Sequence, residues 1–241
     1  TFVLFAFSVL LYALGEPKYV LLLLGMSLVN WLFGRSAEAG SKKWLAVAVA
    51  CNAGMLVYFK LSNAFDRSFL LPVGISFYTF KSISYLADVY RKRIPGERSF
   101  LRFATYLCMF PQIVSGPIMR YEDVREGMTC SAYRLARVED GLKRVVAGLA
   151  AKVLIADRLG ILWNDVQTVG FESISTPLAW LGMAAYSLQL YFDFAGYSLI
   201  AVGIGQMIGF PVIENFRYPY ASRPVSEVYP GWHMTLGTWV K

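Results

Sequence analysis

Two ionisable residues in this sequence stand where an ionisable group is costly to place. His233 is the only histidine of the chain, and it follows Trp232 where a polar, turn-rich stretch gives way to Met234-Thr235-Leu236. Imidazole is the side chain whose unperturbed pKa lets it take and give protons near neutrality. Any imidazole acid or base in this chain is therefore His233; the other reading of the position is an interfacial or core histidine. With one histidine, a histidine-based metal site is effectively excluded, and no metal is expected. Asp193 stands inside Leu190-Tyr191-Phe192-Asp193-Phe194-Ala195-Gly196-Tyr197. A carboxylate in such a run is costly unless paired, so it should face the protein interior beside a cation or accept hydrogen bonds from Tyr or Ser. There it either orients a catalytic group or binds substrate, or it locks two helices together.

Other motifs carry less. Gly203, Gly205 and Gly209 are spaced G-x-G-x-x-x-G with no strand before them, which is not the dinucleotide fingerprint. Gly205 and Gly209, four apart, read as a helix-packing pair. There is no G-x-x-x-x-G-K-[ST] loop and no G-x-S-x-G elbow. Cys51, Cys108 and Cys130 are odd in number and include no C-x-x-C pair. The first two lie in apolar runs, where a free thiol behaves as a small hydrophobe, so neither a disulfide framework nor a zinc site is expected.

The elements that must hold these residues are membrane helices. Hydrophobic residues make up 56% of the 241 and charged residues only 16%, against roughly 45–50% and about 25% in soluble domains. Mean hydropathy is +0.47. A soluble enzyme, a disordered tail and a fibrous repeat all fit poorly. The reading is all-α: a polytopic transmembrane helical bundle with re-entrant or broken helices, over residues 1–241 as a single membrane domain. Lys and Arg outnumber Asp and Glu by 23 to 16, but the basic residues flank apolar runs instead of forming a stripe. That pattern is membrane topology, not a nucleic-acid footprint.

Phe2–Leu14 is short for a span and lacks the basic n-region of a signal peptide. Tyr19–Phe33 and Trp44–Phe59 give about 15 residues each, roughly 23 Å of helix, which requires snorkelling or bilayer thinning. Arg35, Lys42 and Lys43 load one loop, and Arg91, Lys92 and Arg93 another. If both are cytoplasmic, the intervening runs cross once each and the N-terminus is cytoplasmic. Within Phe69–Tyr90, Pro72 and Gly74 kink a helix or start one. Phe100–Ile118, interrupted by Pro111, Gly116 and Pro117, reads as a re-entrant hairpin, with a simple crossing as the alternative. Tyr133–Arg158 reads as an interfacial helix that dips into the protein. Thr176–Leu190 and Leu199–Phe210 are the last strong apolar runs, and the chain turns polar after Pro211. The start at Thr1 and the stop at Lys241 suggest a piece cut at both ends.

Several segments, in order, resemble the membrane-bound O-acyltransferases. They are Leu71-Pro72-Val73-Gly74-Ile75-Ser76-Phe77-Tyr78-Thr79-Phe80 and Phe110-Pro111-Gln112-Ile113-Val114-Ser115-Gly116-Pro117-Ile118. Gly141-Leu142-Lys143-Arg144 and Ala151-Lys152-Val153-Leu154-Ile155-Ala156-Asp157 follow. Then come Tyr191-Phe192-Asp193-Phe194-Ala195-Gly196-Tyr197-Ser198, Glu214-Asn215-Phe216, Tyr218-Pro219-Tyr220, Ser226-Glu227 and Trp232-His233. The similarity runs from roughly Phe59 to Trp239 and is nearest the alginate-type polysaccharide O-acetylation branch, with D-alanyl teichoic acid transferases next.

What the resemblance implies is a tunnel through a bacterial inner membrane, crossed many times by one chain. An acyl group, acetyl for this branch, passes from a cytoplasmic thioester (acetyl-CoA or an acyl carrier) to hydroxyls of an exported polysaccharide. The donor is a substrate and no bound cofactor is implied. Periplasmic acetyltransferases are implied partners beside the lipid bilayer, and nucleic acid is not. His233 matches the first functional histidine; the family's invariant second one lies further on, so the chain resembles the N-terminal part of such an enzyme. Asp193, Tyr197, Trp232, Glu227 and Arg120 are the matching tunnel or supporting positions. Val228, Tyr229, Pro230 and Gly231 replace the aromatic and arginine residues usual before Trp-His, and Pro-Gly there favours a turn. Leu199 replaces an Asp. Two other readings stay open: an acyl-passing channel that feeds a separate transferase, and an inactive truncated copy.

Overall fold

The apolar runs fold into helices that continue past them, because the flanking residues are helix formers and not turn signals. The computed structural model describes residues 1–67, 70–114, 116–125, 127–128, 135–210 and 212–240. Phe69, Ser115, Cys130, Tyr133, Arg134, Pro211 and Lys241, on which parts of the sequence reading rest, lie outside the described residues. Among the described residues there is no strand, and the all-α expectation holds. The chain packs as two compact units, Thr1–Ser131 with Thr238–Lys241, and Ala132–Gly237.

The first unit contains α1 (Phe2–Gly15), α2 (Val20–Glu38), α3 (Lys42–Phe65), α4 (Ile75–Tyr90), α5 (Phe100–Cys108), α6 (Phe110–Ile113) and α7 (Tyr121–Arg125). With the 3-10 turn before it, α2 forms a 22-residue stretch, and α3 has 24 residues. At about 1.5 Å per residue these are long enough for the hydrocarbon core without thinning it, which corrects the 15-residue estimate. At 14 residues, α1 is not. Buried amides join α2 to α3: Asn30 Nδ2 donates to Asn52 Oδ1 at 3.2 Å and Asn52 Nδ2 to Asn30 Oδ1 at 2.7 Å. Of the two cysteines on described residues, Cys51 is exposed on α3 and Cys108 is buried. The two basic loops meet at one end of the unit, where Arg98 pairs with Glu38 at 3.4 Å and Gly96 N–H donates to Glu38 Oε1 at 3.2 Å.

Gly74, at φ +77°, starts α4 and does not kink it. The Phe100–Ile118 segment is broken as its prolines require. Pro111 cannot donate and crowds the turn before it, so α5 stops at Cys108, Met109 is extended and α6 begins anew. At nine residues α5 is too short to cross, so a simple crossing is not what this segment makes. The freed groups find partners within the protein. Ser8 Oγ accepts from Phe110 N–H at 3.2 Å, and Lys81 Nζ donates to Tyr106 O at 2.9 Å and to Gln112 Oε1 at 2.8 Å.

The second unit contains α8 (Leu135–Ala150), a π-helical stretch (Ala151–Ala156), α9 (Asp157–Val169), α10 (Thr176–Met207) and α11 (Val225–Gly231), followed by α12 (Met234–Val240), which runs on past Gly237. Two expectations are corrected. The helix read as ending at Arg158 runs on to Val169, because no proline intervenes and Gly160 packs within the helix, which ends at Gly170, at φ +86°. The two final apolar runs are one helix of 32 residues, since neither Asp193 nor Gly196 interrupts hydrogen bonding.

Four glycines set how α8 and α10 pack. A Cβ on Gly141 would lie 2.6 Å from Gly203 O, and one on Gly148 2.5 Å from Gly196 O, so the antiparallel backbones touch at both places. Each pair is seven residues apart, two turns on one face. Of the glycines read from sequence, Gly203 does pack here. Gly205 instead abuts Val212, and Gly209, at φ +77°, lies beyond the end of α10. Further along, Gly160 faces Gln189. Twelve residues after Gly148, an unbroken α-helix would turn Gly160 about 120° away from α10. One extra residue in the π stretch returns about 100° of that, and the seam continues.

Candidate active site

The second unit gathers its polar and aromatic groups around His233. Tyr191 and Phe194, three apart, share a face of α10. Phe194 meets the His233 ring edge-on at 4.9 Å between centroids, and Phe216 lies 6.4 Å from it. Trp232 packs on Phe216 at 5.4 Å, on Tyr220 at 5.9 Å and on Tyr191 at 6.0 Å. His233 adopts φ +46° between α11 and α12, a left-handed conformation in which His is enriched among non-glycine residues. Its Nδ1 accepts from Leu236 N–H at 3.4 Å, so the imidazole caps α12. Burial among rings lowers its pKa from the ordinary value. The imidazole is therefore neutral at pH 7.

Asn215, wholly buried, fixes this cap. Its carbonyl accepts from Met234 N–H at 2.9 Å, and its Oδ1 accepts from Thr235 Oγ1 at 2.9 Å and Thr235 N–H at 3.3 Å. Arg217 N–H donates to Gly231 O at 2.9 Å. A Cβ at position 231 would sit 2.9 Å from Arg217 O, which explains the glycine there. Pro230 and Gly231 do not prevent a helix, as their turn preference suggested. They form the end of α11 and release Trp232 into extended backbone.

Asp193 has the cation expected of it, but not the burial. It pairs with Lys152 of the π stretch, and its side chain is 53% exposed. The carboxylate ties α8–α9 to α10, while its neighbour Phe194 touches His233. Tyr197 is half-buried one turn further along α10, and Glu227 is exposed on α11. Arg120 belongs to the first unit, where its Nη2 donates to Thr238 O at 2.7 Å. Beside the His233 shell lies a cavity of about 250 Å³ whose wall includes Tyr191, Ser198, Glu214, Asn215, Phe216 and Tyr218. Glu214 is paired with Arg144 at 2.5 Å. Among the described residues no three His, Cys, Asp or Glu side chains converge as a metal site.

The sequence pattern singles out Trp232 and His233 but gives no role to Asn215, Phe194, Ser198 or Lys81. Asn215 was visible only as part of a motif, and its capping is a long-range contact. The buried Lys81 was open to the same reasoning as Asp193, an ion in an apolar helix.

The profile of the membrane-bound O-acyltransferase family, MBOAT, matches residues 79–241. The "Probable alginate O-acetylase AlgI" of Pseudomonas putida is 35% identical over 97% of this chain and 53% of its own length. A peptidoglycan O-acetyltransferase of Helicobacter pylori is 28% identical over 97% of this chain and 53% of its own. For a teichoic acid D-alanyltransferase of Bacillus subtilis the values are 29%, 70% and 43%. The chain spans about half the length of the curated relatives it matches. It belongs to the membrane-bound O-acyltransferase family and is a membrane protein.

Proposed function

We propose that this family member forms part of an O-acyltransferase of the bacterial inner membrane, crossed several times. It moves an acetyl group from a cytoplasmic thioester, acetyl-CoA or an acyl carrier, to hydroxyls of an exported, alginate-like polysaccharide. The observation that carries the reading is the state of His233: a neutral imidazole, capped in place and walled by aromatic rings. Because Nδ1 accepts from Leu236, the neutral ring keeps its proton on Nε2. What it offers a substrate is an N–H. The acceptor oxygen attacks the thioester carbonyl, a C–O bond forms, and Nε2–H steadies the charge that develops on the carbonyl oxygen. The C–S bond then breaks, and the thiol leaves with the proton that the hydroxyl gave up. Taking that proton falls to the second histidine that the family resemblance implies.

The test uses full-length protein with an acetyl thioester and an unacetylated alginate oligosaccharide. His233→Ala is expected to lower kcat by about 10²–10³-fold, the usual cost of one oxyanion donor. His233→Gln, which keeps an N–H donor, retains more. Unchanged acetylation in the alanine variant overturns the reading. Vectorial delivery of acyl groups without thioester turnover by the wild type would replace it with an acyl-passing channel serving a periplasmic transferase.

A further inference from the structure

We infer that the cavity between Arg91 and Arg120 in the first unit is a site for the phosphate of an anionic phospholipid, held at the headgroup level of the membrane. The cavity, of about 240 Å³, is walled by the last turns of α4, by Arg120 and by Trp239 and Val240 at the end of α12. Arg91 caps α4 and is exposed. Among the described residues its guanidinium meets no carboxylate and no carbonyl. Arg120 is half-buried, and its Nη2 donates to Thr238 O at 2.7 Å. That bond fixes the guanidinium and leaves other N–H donors of its fork to spare. One held and one unmatched guanidinium on a single cavity repel each other until an anion lies between them. Their planar forks suit the paired oxygens of a phosphate.

The surroundings decide which anion. Two acidic residues stand near, and both are engaged. Asp88 shares the wall, but its side chain is only 5% exposed and faces Arg93 at 3.6 Å. Asp123 accepts from Arg120 N–H at 3.2 Å. Neither cancels the two guanidinium groups, and Asp88 is not presented to the ammonium of a zwitterionic headgroup. The volume lies below the roughly 300–1,000 Å³ that encloses a whole drug-sized ligand, so the cavity takes a charged terminal group and not the body of a nucleotide. Beside the arginines the wall is apolar, with Ile83, Val240 and the Trp239 ring, whose Nε1 is committed to Phe80 O at 3.1 Å. Cations flanked by apolar surface and an indole are the composition of a membrane interface. The place agrees. Arg91 opens the second basic loop, which meets the first at one end of the unit, and basic clusters beside spanning helices draw anionic lipid.

The experiment titrates delipidated full-length protein in detergent with phosphatidylglycerol, phosphatidylethanolamine or acetyl-CoA, and reads bound ligand by native mass spectrometry and by thermal melts. Phosphatidylglycerol is expected to bind and to raise Tm, with phosphatidylethanolamine clearly weaker. Arg91→Ala breaks no side-chain contact among the described residues, so without lipid it should melt like the wild type. It is expected to weaken phosphatidylglycerol binding about tenfold, the worth of a charge-assisted hydrogen bond. Arg91→Lys, which keeps the charge but not the fork, recovers part of that loss. Lys92→Ala removes the neighbouring cation, which lies off the cavity wall, and should change binding by about twofold or less. Equal losses in Arg91→Ala and Lys92→Ala would reduce the effect to loop charge and overturn the site. Equal affinity for the two lipids overturns it as well. So does acetyl-CoA that displaces the lipid in an Arg91-dependent way, since the phosphate held there is then the donor's.

Discussion

Replacing Gly148 by alanine probes the α8–α10 seam on which the candidate site depends. The added Cβ falls 2.5 Å from Gly196 O, whereas carbon and carbonyl oxygen rest at about 3.3 Å or more. The obstacle is helix backbone and not the end of a flexible side chain, so the two helices must part by about 0.8 Å. A gap of that size forfeits about a quarter to a half of each dispersion contact along the seam, and overpacking of this kind costs about 1–3 kcal/mol. Against this stands the helix-propensity gain from losing a glycine, about 1 kcal/mol. Gly54→Ala in α3 isolates that gain, because nothing lies within 4 Å of its Cβ. The expected difference in unfolding free energy between the two variants is about 2 kcal/mol, read from equilibrium denaturation of the detergent-solubilised protein by circular dichroism. Gly148→Ala with Gly196→Ala should cost less than the separate effects together, since the first opens the gap the second needs. A Gly148→Ala protein as stable as Gly54→Ala, or strict additivity in the double variant, would refute close backbone contact here.

Gly74→Ala and Gly40→Ala place a Cβ at nearly the same backbone angle, φ +77° and +79°, but only Gly74 faces the Ile113 backbone. Both should lose about 1–2 kcal/mol from the left-handed conformation, and thermal melts should show Gly74→Ala clearly the worse; equal losses would remove the α4–α6 contact from the account. Asn52→Leu removes the donor to Asn30 Oδ1 between α2 and α3, while Asn30 Nδ2 keeps Met26 O, with an expected cost of about 0.6–1.7 kcal/mol. Asn30→Leu/Asn52→Leu should recover most of it, and a double variant no better than the single would be the contrary result in the same denaturation assay. The pH profile of transfer tests His233. Burial lowers its pKa in the folded protein, so its contribution to stability is present above the ordinary imidazole value and is lost as pH falls through the lowered one. Activity should therefore persist to a pH below that value, and Phe194→Ala, which rehydrates the ring, should move the acid limb upward. An unmoved limb would detach Phe194 from the imidazole.

Much of this architecture is written in local pattern, and what is not depends on long-range register. The break near Pro111 and the helix start at Gly74 follow from residues whose conformational limits need no partner. The lengths of α2 and α3 do not follow from the apolar runs alone, because exposed helix formers such as Arg35 and Lys60 carry the helices past them. The sequence suggests Gly205 and Gly209 as packing glycines because they are four apart; Gly141, Gly148, Gly196 and Gly203 become visible only once α8 and α10 are laid antiparallel. Likewise Trp-His marks the site by composition, but Asn215 acquires its role from a loop that returns 19 residues later to meet Met234. Asp193 stands out as an ion in an apolar run, but its partner Lys152, 41 residues away, is set by the packing of α10 on the π stretch.

Lys81 and the Lys152–Asp193 pair, ions placed among apolar helices, do different work, and the difference separates scaffold from site. Lys81 is fully buried and, among the described residues, has no carboxylate partner. Its ammonium instead meets Tyr106 O, Gln112 Oε1 and the Tyr106 ring at 4.9 Å, at the C-terminal end of α5. That end carries the negative pole of the helix and carbonyls left without helical partners, so the charge answers a break that Pro111 made necessary. Lys152 and Asp193 answer each other and remain partly exposed, spanning the one place where a π stretch resets the face of α8 toward α10. The pair therefore holds register without occupying the interior. That leaves the inner face of α10 to Tyr191, Phe194 and Ser198, which are the residues that meet the histidine shell and the polar cavity. A carboxylate that turned inward at position 193 would have competed for that space. By engaging Lys152 it stays clear of that face, and the glycine seam with α8 sets the rotation of α10 that brings Phe194 to His233.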